Sequence, residues 1–410
     1  MPYSQVRKGD AKKQAIWKPE HQQCGEAPTK PKYVFVNAST TMPTSCWGGQ
    51  ESWIEFEIPS DFGILAGLTM AIDVNNSSGT DITVLPTTFW FSRVEIFLGS
   101  DCVETVYSQQ IHDEVVGFRT YEKFLQLAEA IGINKNYDLL TGNLPAHATN
   151  ERFYLPLEAT FLQGMRPFVK AFHSRFKLRT YFATSIHTSG TVAPTLQMCQ
   201  LIAEEASLHH HKHNEVHQAH RAIVQYDIMI RERQQDALTI NSNTAFPIYL
   251  RSFKNDSAGL LVNITSQSAS KAEALEKLEI HDITLQDSLG NKITEQIRGD
   301  FNKPFIWTDH IDSPYTTYEN TVEGASQPYG ANLYLVPFSS SFSDSVMRGC
   351  DFGSFPMSTQ EKLMITPANS TTLGDKTNTT GNCLITTVSY SHGAIVCANG
   401  KHYIQMKSSH

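Results

Sequence analysis

The sequence predicts an all-β chain that carries one eight-stranded β-domain twice in tandem. Three observations point there. The composition combines 40% hydrophobic and 10% aromatic residues with only 18% charged ones, below the ~25% of ordinary soluble domains. Apolar residues then recur at every second position in run after run, the period of a half-buried strand. Finally, short motifs return in the same order at separations of 180 to 188 residues. Val94–Glu95–Ile96, with a glycine turn and Val103–Glu104–Thr105, is echoed by Leu278–Glu279–Ile280, Gly290–Asn291 and Ile293–Thr294–Glu295. Phe153–Tyr154–Leu155–Pro156 is echoed by Leu333 to Pro337, Lys177–Leu178 by Lys362–Leu363, and the closing strand at Thr195 by that at Cys383. Strand text is degenerate, but four echoes in one order define an internal repeat.

Taken in order, residues 1–32 lack hydrophobic periodicity and read as an extended arm. Ser52–Ile58 sets Trp53, Ile54, Phe56 and Ile58 against Glu55 and Glu57, and Leu68, Met70, Ile72 and Val74 form the next alternating strand. Phe89–Leu98 reads as a buried core strand with Trp90, Val94, Ile96 and Leu98 on one face and Phe89, Phe91 and Phe97 on the other. Gly99–Ser100–Asp101 turns it back into Cys102–Tyr107. Helical spacing then links Ile111, Val115, Phe118, Tyr121, Leu125 and Ala128, with Gly132 past the end. Strands follow at Phe153–Leu157, Phe176–Phe182 and Thr195–Ile202. Glu204 to Arg221 is polar and His-rich and predicts a short linking helix, after which alternation restarts at Ile223. The expected boundaries are a basic arm over 1–32, a first domain over 33–205, a linker over 206–222 and a second domain over 223–410. Eight antiparallel strands in two facing sheets protect their edges best as a jelly roll, so the expected architecture is a double jelly roll with short helical insertions.

Charge and cysteines narrow the function classes. The arm holds seven basic residues and three acidic ones, while the remaining 378 residues hold 26 basic and 38 acidic. An acidic body is a poor surface for phosphates, so no sequence-specific nucleic-acid partner is expected. The seven cysteines are scattered without a C-x-x-C pair and read as reduced, mostly buried thiols. Met1 precedes a polar stretch rather than an apolar leader, and the longest uncharged apolar run, Phe62–Ile72, is far short of the ~20 residues of a membrane span. Cytosolic synthesis is the expectation.

The strand text also carries a resemblance. Phe89–Asp101 running to Tyr107 and the helix after it, Arg152–Leu157, Leu196–Glu205, and above all Leu333-Tyr-Leu-Val-Pro-Phe-Ser through Asp351-Phe-Gly resemble segments of double jelly-roll major capsid proteins. These belong to tailless icosahedral DNA viruses: nucleocytoplasmic large DNA viruses, virophages and polinton-like viruses. The similarity extends over roughly residues 50–408. It implies a structural, non-enzymatic virion protein, a homotrimer whose six β-barrels give a pseudo-hexagonal capsomer. Neighbouring capsomers, penton proteins and minor capsid proteins are the implied partners. It also implies that the arm, with Arg7, Lys8, Lys12, Lys13 and Lys18, lies against an internal lipid membrane or a minor capsid protein.

No cofactor is expected. The His209–His220 segment reads as a solvated linker; a pH-sensitive subunit contact through His213, His217 and His220 is the functional alternative. A metal shared by His213 and His217 is a third reading, but the sequence His-Asn-Glu-Val-His is not the metalloprotease motif. Gly-x-Ser-x-Gly and phosphate-loop spacings are missing from the chain. His112–Asp113 and His281–Asp282 read as surface pairs, and the seven Asn-x-Ser/Thr sites read as β-turns. The rival reading is a tandem β-sandwich carbohydrate-binding or adhesin protein, suggested by the Asn/Ser-rich loops and aromatics.

Overall fold

The computed structural model describes residues 29–43, 46–118, 126–133, 142–144, 146, 150–157, 159, 162, 167, 169–186, 194–208, 223–240, 244–267, 277–311, 332–348, 353–368, 381–398 and 401–406. Among the described residues, eight strands build the two main sheets of the first half, beside a small ladder of Ile82–Val84 with Gly142–Leu144: β1 (Thr29–Val36), β2 (Trp53–Glu57), β3 (Ile64–Asn75), β4 (Phe91–Leu98), β5 (Asp101–Tyr107), β6 (Glu151–Pro156), β7 (Phe176–Phe182) and β8 (Thr195–Leu208). They pair as two four-stranded sheets, β1-β8-β3-β6 and β2-β7-β4-β5. The second half repeats them: β9 (Ile223–Ile240), β10 (Phe246–Tyr249), β11 (Asp256–Ser266), β12 (Ile280–Gln286), β13 (Ile297–Arg298), β14 (Tyr334–Pro337), β15 (Lys362–Pro367) and β16 (Gly381–Ala398). Their sheets run β9-β16-β11-β14 and β10-β15-β12-β13. Every strand of the first roll therefore has its counterpart eight strands later, in the same place in the same sheet. The chain is a double jelly roll.

The repeat extends to register. In the first roll Leu178 pairs with Phe56 on one side and Ile96 on the other. In the second, Leu363 pairs with Ile248 and Leu285. All six are buried, because slipping one residue would turn every apolar side chain of a strand to water. Gly99 and Gly290 occupy matching hairpin turns with φ of +68° and +89°, which a Cβ would strain. Each roll has its own core, and Trp47 and Trp90 anchor the first with both indole N–H groups satisfied by backbone carbonyls (3.0 and 2.6 Å).

Several expectations are corrected in detail. Phe89 lies in a 3-10 turn over Thr87–Phe89, and Phe97 sits half-buried on the outer face with the Arg179 guanidinium 5.2 Å from its ring. The outer face of β4 is thus partly charged, through Arg93 and Glu95, and not a second apolar side. Glu204–Leu208 continue strand β8 rather than opening a helix, and Thr29–Lys32 already belong to β1. Helix α1 covers Ser108–Gly117; the linker histidines and residues 1–28 lie outside the described residues. Among the described residues, the sequon asparagines Asn76 and Asn263 are buried. Asn76 holds its turn as read, donating to Thr80 O (3.1 Å) and accepting from Ser78 N (3.0 Å).

Since Leu178 and Leu363 fill equivalent positions, Leu178→Ala and Leu363→Ala should each cost about 2–5 kcal/mol in chemical denaturation. A cost below about 1 kcal/mol at either site would contradict the equivalence.

Candidate functional site, the junction of the two rolls

The two rolls are joined by buried charge as well as by apolar packing. Strand β9 reads Arg231-Glu-Arg-Gln-Gln-Asp, and its alternation sends Arg231 and Arg233 to the face opposite the second core. Arg231 pairs in register with Tyr390 of β16. From the first roll, α1 crosses this face and presents Glu114, while β5 presents Glu104. The Arg231 guanidinium grips Glu114 with both arms of its fork, Nε donating to Oε1 at 2.6 Å, and donates its remaining Nη1 to Glu104. Tyr390 donates its hydroxyl to Glu114 at 2.8 Å. Lys277, on a two-residue strand paired with β11, donates to Asp113 of α1. The charged ends of all five side chains lie almost wholly out of water.

Around this centre the contacts are looser. Arg233 lies 4.1 Å over the Tyr107 ring, and Gln109 donates to Asn263 at 3.2 Å. His402 meets Asp101 at 3.1 Å. Phe118 at the end of α1 packs edge-on to Phe342 (6.1 Å), which itself abuts Tyr390 (5.2 Å). Ile228, Ile395 and Cys397 of the second roll join the first roll's core cluster. Both β9 and β16 run 18 residues, against 8 and 14 for β1 and β8, and this added length carries the second roll's sheet across to the first.

Electrostatics follow from the enclosure. Burial opposes the charge on Arg231, but Glu114 and Glu104 outweigh it and hold the guanidinium more basic than usual. Burial also pulls Lys277 below its ordinary value against the pull of Asp113. His112, with Nδ1 2.8 Å from Thr88 Oγ1, is pushed well below the ordinary histidine value by desolvation and then by Lys277. Burial and the adjacent Glu114 carboxylate raise Tyr390 well above the ordinary tyrosine value.

His112–Asp113, read from sequence as a surface pair, is therefore corrected to a buried element of the junction: desolvated side chains are invisible in text that looks like an exposed helix. His281 is exposed and meets Asp282 at 2.7 Å. Arg7, Lys8, Lys12, Lys13, Lys18, His213, His217 and His220 all lie outside the described residues. Among the described residues no group of three or more His, Cys, Asp or Glu could hold a metal ion, and no helix is long and apolar enough to cross a membrane. Cys46, Cys199, Cys383 and Cys397 are buried thiols and Cys102 an exposed one. What this arrangement can do is fix the two rolls in one relative position.

Removing one partner strands the others without compensation. Arg231→Ala should destabilise the chain by about 3–5 kcal/mol in urea, whereas Arg231→Met with Glu104→Leu and Glu114→Leu should recover most of that loss. Equal losses in both variants would contradict the reading. For His112, the unfolded chain binds a proton below about pH 6.5 while the folded chain does not, so stability falls as pH drops through that value. The slope approaches about 1.4 kcal/mol per pH unit. His112→Asn should flatten this acid limb in pH-dependent denaturation; an unchanged limb would assign it to other groups.

No protein-family model and no curated protein matches the chain, but solved structures do. The PBCV-1 protein VP54, in its fit to a reconstruction of the virophage Sputnik, aligns over 92% of this chain and 97% of its own at 12% identity, with a TM-score of 0.69. The Faustovirus major capsid protein aligns over 93% and 91% at 9% identity with a TM-score of 0.57. The Sputnik virophage structure aligns over 93% and 89% at 10% identity with a TM-score of 0.55. At these identities the likeness is one of fold, and this chain carries the double jelly-roll fold of viral major capsid proteins.

Proposed function

We propose that the protein is a viral major capsid protein, a structural rather than catalytic component of the virion, and that three copies make a pseudo-hexagonal capsomer. The observation that carries the reading is the duplicated roll: two units of the same strand order and register, held in one relative position by the Arg231 cluster. Three such chains supply six near-equivalent barrels, and a threefold particle then tiles a shell as if it had six sides. Closed symmetry within the capsomer and weaker contacts between capsomers let a shell grow with correction of errors. Neighbouring capsomers, penton proteins and minor capsid proteins are the partners, with synthesis in the host cytoplasm. The basic arm with Arg7, Lys8, Lys12, Lys13 and Lys18 is the segment proposed to touch a minor capsid protein or an internal membrane, and the histidines His213, His217 and His220 a pH-sensitive contact.

Light scattering of the purified protein should give three times 45.9 kDa, about 138 kDa, with hexagonal outlines in negative stain. A monomer that forms nothing larger across salt and pH would overturn the proposal.

A further inference from the structure

Within one chain, the first roll's α1 and the second roll's own helix over Phe342–Arg348 together cover the outer face of the second roll's β9-β16-β11-β14 sheet. The first roll has the equivalent sheet, and among the described residues Tyr33 and Phe35 stand exposed on its outer face. Register identifies the matching positions. Across the second sheet run Arg231, Tyr390, Gly259 and Pro337; across the first run Phe35, Ile202, Thr69 and Pro156. The prolines coincide with the repeat seen in the sequence. Where the second sheet has the ion-paired Arg231 and the hydrogen-bonded Tyr390, the first has Phe35 and Ile202. Phe35 is 58% exposed and its strand neighbour Tyr33 62%. Together with Leu68, Pro156 and Ile202 they line an open groove of about 560 Å³. Exposed aromatic side chains beside an open apolar groove mark an interaction site.

The chain also contains the counterpart of α1. That helix follows β5 directly, and helical turns over 299–310 follow β13 directly. They are held tightly to their own roll. The buried Asn302 side chain donates to Leu335 O (2.6 Å) and accepts from Leu335 N (3.0 Å), and a Cβ on Gly299 would come within 2.0 Å of Ile280 O, so only glycine fits. This anchoring leaves Phe301 and Phe305 stacked on each other at 4.9 Å, 49% and 54% exposed. α1 brings carboxylates to a guanidinium; the 299–310 segment brings two rings to a face of rings.

The geometry points to a head-to-tail contact between copies of this chain, in which Phe301 and Phe305 of one copy enter the Tyr33–Phe35 groove of the next. This deepens, and rests on, the capsomer reading: the docking used once inside each chain is used again between chains, and the ring closes after three. The occupant is a second copy because the intrachain junction is already built this way, with equivalent strands and equivalent excursions, and because the exposed side chains of the excursion and of the face are both aromatic.

The test separates the two faces. Tyr33→Asp/Phe35→Asp and Phe301→Asp/Phe305→Asp alter exposed side chains, and each protein should fold as wild type by near-UV circular dichroism yet run as a monomer at micromolar concentration, at least a 100-fold loss of affinity. Mixed together, the two variants retain one intact pair of faces and should form a dimer of twice 45.9 kDa, about 92 kDa. Phe35→Cys/Phe305→Cys in a Cys102→Ser chain gives an independent reading, with oxidation expected to yield linked dimers and trimers on a non-reducing gel. Trimers unaffected by either aspartate pair, or a cysteine variant that stays unlinked, would overturn this contact and leave the capsomer reading standing. A wild-type monomer would overturn both.

Discussion

One guanidinium decides how the two halves of this chain sit. Arg231 belongs to the second roll, and the carboxylates that satisfy it, Glu104 and Glu114, belong to the first. A buried charge without its partners costs several kcal/mol, so relative positions of the rolls that separate these groups are heavily penalised, whereas apolar packing alone would tolerate sliding. The net stabilisation from such a cluster is small once desolvation is counted; its contribution is specificity. Helix α1 depends on it too, since Asp113, Glu114 and Phe118 tie successive turns of the helix to the second roll.

The rolls are alike where a jelly roll must be alike and differ where they meet something. Strand order, the Leu178 and Leu363 ladders and the turn glycines are held in common. The outer faces of the equivalent sheets differ in kind. The second sets the ion-paired Arg231 within an apolar cluster that Phe118 and Phe342 join; the first exposes the rings of Tyr33 and Phe35. β9 and β16 have lengthened, and their ends join the neighbouring core. A duplicated unit that keeps its core and alters its flanks can present equivalent faces of different chemistry.

Much of the fold was legible in the sequence because strand burial writes a period of two and duplication writes an offset. The echoes at Phe153 and Leu333, and at Lys177 and Lys362, fall on strands that occupy the same place in each roll. The junction was not legible. Arg231-Glu-Arg-Gln-Gln-Asp reads as a solvated polar run, and the carboxylates that pair with Arg231 stand 117 and 127 residues earlier. His112–Asp113 looked like a surface pair for the same reason: a charge buried by another part of the chain leaves no local mark. Phe97 misled in the opposite sense, since an aromatic in a strand can serve as the platform for an arginine. The one available signal was that Arg231 and Arg233 share a strand face with apolar Met229.

On the proposed capsomer, the docking of roll on roll inside the chain is repeated between chains. A cryo-electron-microscopy reconstruction of the purified wild-type particle tests it most directly. The predicted result is three chains in a closed ring of six rolls, with the 299–310 segment of each chain seated against Tyr33 and Phe35 of the next. A twofold particle, or a threefold one in which Tyr33 and Phe35 face solvent, would contradict it.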